Sequence, residues 1–159
     1  MFCLNIFAAK LRNKNKFVTS PSRNLIFCHI MEKSDSIVII PTYNEKENIE
    51  KIIRAVFGLE KSFDILIIDD GSPDGTAAIV KSLQAGEFSD RLHLVERSGK
   101  LGLGTAYITG FKWAIEHGYD YIFEMDADFS HDPNDLPRLY SACHDEGYDL
   151  TSARATSAA

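Results

Sequence analysis

The chain has 159 residues, a formal charge of -6, and 45% hydrophobic and 25% charged side chains. That length suits one domain with a real core, and no apolar run approaches the ~18 residues that a membrane-spanning helix needs. The charge is uneven: residues 1–30 carry five basic and no acidic side chains, and the remainder 12 basic and 23 acidic, so an acidic body argues against non-specific nucleic-acid binding.

The basic leader comes first. Its apolar piece, Phe2 to Ala9, precedes the charges instead of following them, unlike a secretory signal. Basic residues, serines and no acids give it a faint organelle-transit character. The simpler reading is a poorly ordered extension over residues 1–33, with Met31 as a natural start and the domain over 34–150. The three cysteines, Cys3, Cys28 and Cys143, are odd in number and lack zinc-type spacing. They point to a reducing compartment without a disulfide framework.

Ser36 to Pro41 is a run of apolar, β-branched residues, which predicts a strand buried on both faces. Pro41 cannot donate to a ladder and ends it. Asn44 offers an N-cap with Glu47 as the acid of a capping box. The helix that follows places Ile49, Ile52, Ile53, Val56 and Phe57 on one face, and Gly58 stops it. Phe63 to Ile68 predicts a second buried strand, ending in the dense turn Asp69-Asp70-Gly71-Ser72-Pro73-Asp74-Gly75-Thr76. Asp74 or Ser72 can cap the next helix, which carries Ile79, Val80 and Leu83.

Leu92 to Glu96 predicts a third strand, followed by the glycine-rich loop Arg97 to Gly104 and a helix from about Thr105 to His117. A short fourth strand, Tyr121 to Phe123, runs into Glu124-Met125-Asp126-Ala127-Asp128-Phe129-Ser130-His131-Asp132-Pro133. A last helix buries Leu136, Leu139, Tyr140 and Cys143 and closes at Gly147. Alternating strands and helices without hairpin signals predict a doubly wound, mostly parallel α/β sheet. Such sheets bind ligands beyond the carboxyl ends of their strands, where the strand order reverses. Every chemically interesting turn here follows a strand, so topology gathers the turns at one edge.

Each turn has a chemistry and a plainer alternative. Asp126 and Asp128 can converge at a strand end and hold a hard divalent cation such as Mg²⁺ against phosphate oxygens, or close the strand as a polar turn. The spacing Gly99-Lys100-Leu101-Gly102-Leu103-Gly104 fits neither the dinucleotide fingerprint nor a P-loop. Bare N–H groups near a helix start, with Arg97 and Lys100 close by, suit phosphate; solvated charges on a flexible turn are the alternative. Asp69 and Asp70 can accept hydrogen bonds from a base or ribose. Tyr43 can stack on a base or pack at the sheet edge. His131 can meet a metal or phosphate, or be structural. His117 and Trp113 read as packing or surface.

Together these residues resemble glycosyltransferase family 2, inverting enzymes with the Rossmann-like nucleotide-sugar-binding GT-A fold, and most nearly its dolichyl-phosphate (polyprenyl-phosphate) mannosyltransferases. The resemblance rests on Ile39 to Glu45 with Asn48, Ile68 to Thr76, Arg97 to Gly104 with Ala106-Tyr107, and Met125 to Pro133. It implies that Pro41, Tyr43 and Glu45 line base and ribose, and that Asp70 contacts one of them. It places Arg97 and Lys100 near phosphate, and Asp126 and Asp128 on Mg²⁺ or Mn²⁺ at the donor diphosphate. Ser130 stands where some relatives have a further metal-contacting side chain. The implied reaction moves mannose from GDP-mannose to a polyprenyl phosphate, by an enzyme peripheral at the cytoplasmic face of a membrane, with a membrane protein as a possible partner. A different donor such as UDP-glucose, or a non-catalytic nucleotide- or metal-binding remnant, are the competing readings.

The resemblance runs from about Ser36 to Leu150. Thr151 to Ala159, rich in small residues, looks unlike the family and reads as a foreign tail. On that reading the fold is incomplete at its C-terminus, the sheet exposes an unfinished edge, and the chain is a donor-binding half with impaired activity.

Overall fold

The computed structural model describes residues 5–11 and 34–154. The strands are β1 (Asn5–Lys10), β2 (Ser36–Thr42), β3 (Asp64–Asp69), β4 (Leu92–Glu96), β5 (Tyr121–Glu124) and β6 (Leu150–Arg154). The helices are α1 (Ile49–Phe57), α2 (Thr76–Ala85), α3 (Leu103–Glu116) and α4 (Asp135–His144). They build one sheet in the order β4-β3-β2-β5-β1-β6. β4, β3, β2 and β5 are mutually parallel. β1 runs antiparallel to both β5 and β6.

The apolar runs work as a two-faced parallel sheet requires. Val38 and Ile40 of β2, with Ile65 and Ile67 of β3, pack under α1, α2 and α4. The intervening Ile37, Ile39, Leu66 and Ile68 face α3. Helix α3 comes close to the sheet at Gly110. A Cβ there would lie 2.6 Å from Ile39 Cγ2 and 2.9 Å from Ile39 Cδ1.

Asp35 ties the amino ends together. Its carbonyl accepts from the Asp120 and Tyr121 N–H groups. Its carboxylate accepts from Lys61, Ser36 and the Tyr140 hydroxyl.

Three expectations are corrected here. Residues 5–10 of the leader are a strand, not an unstructured extension: Ile6 and Ala8 are buried in the main core. The sheet edge left by β5 presents unpaired backbone groups to any extended segment, and Ile6-Phe7-Ala8-Ala9 supplies one with apolar residues on both faces. The rest of the leader, including Cys3, Cys28 and Met31, lies outside the described residues. The start of the supposed tail, Thr151 to Arg154, continues β6 from Leu150 and pairs with β1, and β1 in turn pairs with β5, so β5 is not an exposed edge.

The third correction is Asn44, which is no N-cap. It adopts a left-handed φ of 61°, a conformation that asparagine tolerates. α1 begins five residues later, with the Glu45 carbonyl accepting from the Asn48 and Ile49 N–H groups.

Candidate active site

Strand order reverses between β2 and β5: from β2 the chain builds outward to β3 and β4, then returns to the other side for β5. The carboxyl ends of β2 and β5 flank that switch point, and the turns after them carry Tyr43 and Asp126. This is where an open α/β sheet leaves a crevice.

A cleft of about 140 Å³ opens beside the end of β2. Pro41, Thr42, Tyr43, Asp70, Lys100 and Ala106 line it, with Gly102 and Leu103 from the start of α3. Pockets for whole drug-sized ligands run to roughly 300–1,000 Å³, so this one suits a single ring system. Tyr43 is 38% exposed, and the Lys100 ammonium sits 4.5 Å from its ring centroid. That cation–π contact joins the β2 turn to the glycine-rich loop across the mouth.

The turns are braced by side chains. Asp69 accepts from Thr42 Oγ1, Ser72 N–H and Ser72 Oγ. Ser72 Oγ in turn accepts the Asn44 N–H. Asp74 accepts from the Thr76 hydroxyl and N–H at the start of α2 and from the Lys46 N–H. Those bonds, chiefly the Thr76 hydroxyl, hold its carboxyl below the ordinary carboxylate range. Capping is what Asp74 does in this structure.

Arg97 and Asp70 form a buried, bidentate pair. Arg97 Nε donates to Asp70 Oδ1 at 2.5 Å and Nη2 to Oδ2 at 2.7 Å, with both side chains 8% exposed. Arg97 also donates to Thr105 Oγ1 and the Gly102 carbonyl, and Asp70 accepts the Leu101 N–H. The Arg97 guanidinium is thus spent on shaping its own loop instead of facing a phosphate. Glu45 does not line the cleft; it accepts from Asn48 Nδ2. Pro41, Tyr43, Asp70 and Lys100 lie together in the cleft lining.

The acidic turn follows β5. Burial and the neighbouring Asp128 charge push the Asp126 carboxyl up, against a hydrogen bond from Tyr107 and the opposing influence of His131. Burial also pushes Asp128 up, but hydrogen bonds from Ser130 outweigh it and leave Asp128 below the usual range. Each carboxylate is held by a neighbouring donor. Tyr107 Oη donates to Asp126 Oδ1 at 3.1 Å, and the Ser130 N–H donates to Asp128 Oδ1 at 2.9 Å. The Ser130 side chain also hydrogen-bonds to the Asp128 carboxylate. Glu124 is pushed up by burial and by Asp126. Between Asp128 and Ser130, Phe129 holds a φ of 59° and is 41% exposed; such backbone strain in a bulky residue concentrates at functional sites.

Among the described residues no group of three or more His, Cys, Asp and Glu is placed to hold a metal. Two neighbouring carboxylates still fit Mg²⁺ or Mn²⁺, because such ions are usually held by one or two carboxylates and completed by phosphate oxygens and water. His131 is buried beside the pair, its Nδ1 3.3 Å from Ser130 Oγ. Trp113, partly buried against the core under α3, stacks at 3.6 Å on the exposed His117, as packing residues do.

Tyr107 stands among the residues that carry the resemblance, but its hydrogen bond to Asp126 is not legible there. It reads as one more apolar position on the inner face of α3. The available signal was chemical: a buried tyrosine hydroxyl requires a partner.

The profile of Glycosyl transferase family 2 matches residues 37–158, which takes in β6 and most of the supposed foreign tail. The chain is 48% identical over 115 residues to polyprenol monophosphomannose synthase of Mycolicibacterium smegmatis, covering 72% of this chain and 43% of that protein. It is 45% identical over 106 residues to undecaprenyl-phosphate mannosyltransferase of Micrococcus luteus, covering 67% of this chain and 43% of that one. The chain therefore spans less than half the length of these relatives.

Among solved structures, the mannosyltransferase PcManGT from Pyrobaculum calidifontis, in complex with GDP-Man and Mn²⁺, superposes with a TM-score of 0.52 at 28% identity, over 59% of this chain and 27% of that one. S. aureus TarS 1-349 with UDP-GlcNAc reaches 0.58 at 20% identity, over 69% and 31%, a likeness of fold alone. With the profile covering most of its length and the nucleotide-sugar-binding fold in place, this chain belongs to glycosyltransferase family 2.

Proposed function

We propose that this chain is the donor-binding part of a mannosyltransferase that moves mannose from GDP-mannose to a polyprenyl phosphate. The observation that carries the reading is the pairing, at one switch point, of a ring-sized cleft with two neighbouring carboxylates, Asp126 and Asp128, in the turn after β5. Two relatives named for polyprenyl-phosphate mannose transfer, and a similar structure holding GDP-Man and Mn²⁺, support it.

In this proposal Tyr43 and Pro41 flank the base, and Asp70 faces base or ribose from the cleft wall. Lys100 leaves the Tyr43 ring for a phosphate, and Asp126 and Asp128 hold Mg²⁺ or Mn²⁺. The metal supplies charge neutralisation for the departing diphosphate. A phosphate oxygen of the acceptor attacks the anomeric carbon, the bond from that carbon to the donor phosphate breaks, and GDP leaves with the electron pair. A phosphate monoester has its second pKa near ~6, so the acceptor arrives as an anion and asks little of a protein base. No helix among the described residues is long and apolar enough to cross a membrane. The proposed setting is the cytoplasmic membrane face where such a lipid lies, with a membrane-protein partner as a further element of the proposal.

Calorimetric titration with Mn²⁺ tests the donor. GDP-mannose should bind more tightly than UDP-glucose, and Asp126→Ala with Asp128→Ala should remove the metal-dependent part. Equal binding of both donors would overturn the donor assignment. Unchanged metal-dependent binding in the double variant would overturn the metal site.

A further inference from the structure

We infer that Tyr107 is the positioning residue of the Asp126 carboxylate and, through α3, its mechanical link to the nucleotide cleft; this rests on the metal–diphosphate reading of that site. The hydroxyl donates to Asp126 Oδ1. That bond restrains the carboxylate's rotation. The ring is itself held, stacked on Phe111 with centroids 6.4 Å apart, and α3 is seated on the sheet by the close Gly110–Ile39 approach. The donor is therefore rigidly mounted, as outer partners of metal ligands must be.

The same helix builds the cleft. Gly102, Leu103 and Ala106 line it, and Tyr107 is the next residue along. Leu103 and Tyr107 are one turn apart. A ring entering the cleft presses on the turn of α3 whose other side holds Asp126. The loop ahead of that turn is locked by Arg97 to Gly102, Thr105 and Asp70. Nucleotide and metal thus meet one rigid element, and Tyr107 makes each favour the other.

The test is calorimetry of GDP with and without Mn²⁺ on the full chain, alongside thermal melts. Outer-shell partners of metal ligands typically change metal affinity by about 10–100-fold. Tyr107→Phe should weaken GDP binding in Mn²⁺ by about 10-fold or more, with metal-free GDP binding and Tm at the wild-type level. Phe111→Leu disturbs the ring packing but keeps the hydroxyl, and should lose clearly less of the metal-dependent part than Tyr107→Phe.

Wild-type Mn²⁺-dependent binding in Tyr107→Phe overturns the inference. An equal loss with and without metal, or an equal loss in Phe111→Leu, also overturns it, because the tyrosine would then only support the helix. Loss in Tyr107→Phe alone, with metal-dependent binding retained by Asp126→Ala plus Asp128→Ala, overturns both the inference and the metal site beneath it.

Discussion

Asp70→Asn is the sharpest test of how the glycine-rich loop is built. Asp70 takes two bonds from the Arg97 guanidinium and one from the Leu101 N–H, and both side chains of the pair are 8% exposed. The variant keeps the shape but removes the charge, leaving a buried guanidinium without its counter-ion. Breaking such a pair costs about 3–5 kcal/mol, because one charge stays buried and unpaired. The retained amide oxygen still accepts one bond, so the lower end, about 3 kcal/mol, applies.

That is a large share of the roughly 5–15 kcal/mol that stabilises a domain. With a urea slope of about 1–3 kcal/mol/M, the unfolding midpoint should fall by at least ~1 M with the slope unchanged. Removing both charges in Asp70→Leu with Arg97→Met should recover much of the loss, since apolar replacement of a buried pair is often neutral. A loss under about 1 kcal/mol in Asp70→Asn, or a double variant as unstable as the single one, would refute the reasoning.

Other consequences follow from the packing. Gly110→Ala places a methyl 2.6 Å from Ile39 Cγ2. Overpacking costs about 1–3 kcal/mol and the helix-propensity gain returns up to ~1, so a melt should show net destabilisation, relieved in part by Ile39→Ala. Ile6 is fully buried in β1, and Ile6→Ala should lose about 2–5 kcal/mol in urea unfolding; a neutral result would mean that β1 is not part of the core. Burial pushes the Asp35 carboxyl up, but hydrogen bonds from Lys61, Ser36 and Tyr140 bring it below the ordinary value. A lowered acid stabilises the fold above its unfolded pKa, ~3.9, and that contribution disappears as pH falls through the folded value. The gap in urea midpoint between wild type and Asp35→Asn should therefore be present at pH 6 and close as the pH falls below the unfolded value and through the folded one.

Local chemistry made most of the frame legible. Ile37 to Ile40 and Ile65 to Ile68 can only be satisfied by cover on both faces, so the sequence alone implied a parallel sheet between helix layers. The same run implied that the acidic turn after Phe123 would emerge beside the turn after Pro41. Strand and helix periods are properties of neighbouring residues, which is why they can be read without coordinates.

Tertiary structure decided the partnerships. Nothing in spacing tells Arg97 to choose Asp70, 27 positions away, over a ligand phosphate, because a guanidinium pairs with whichever carboxylate the fold buries beside it. Nor does spacing aim the Tyr107 hydroxyl at Asp126 and not into the core. Strand addition at β5 is also blind to pattern. Backbone hydrogen bonds carry no side-chain code, so Asn5–Lys10 and Leu150–Arg154, both weak as strands on composition, pair wherever an edge and an apolar face are offered together.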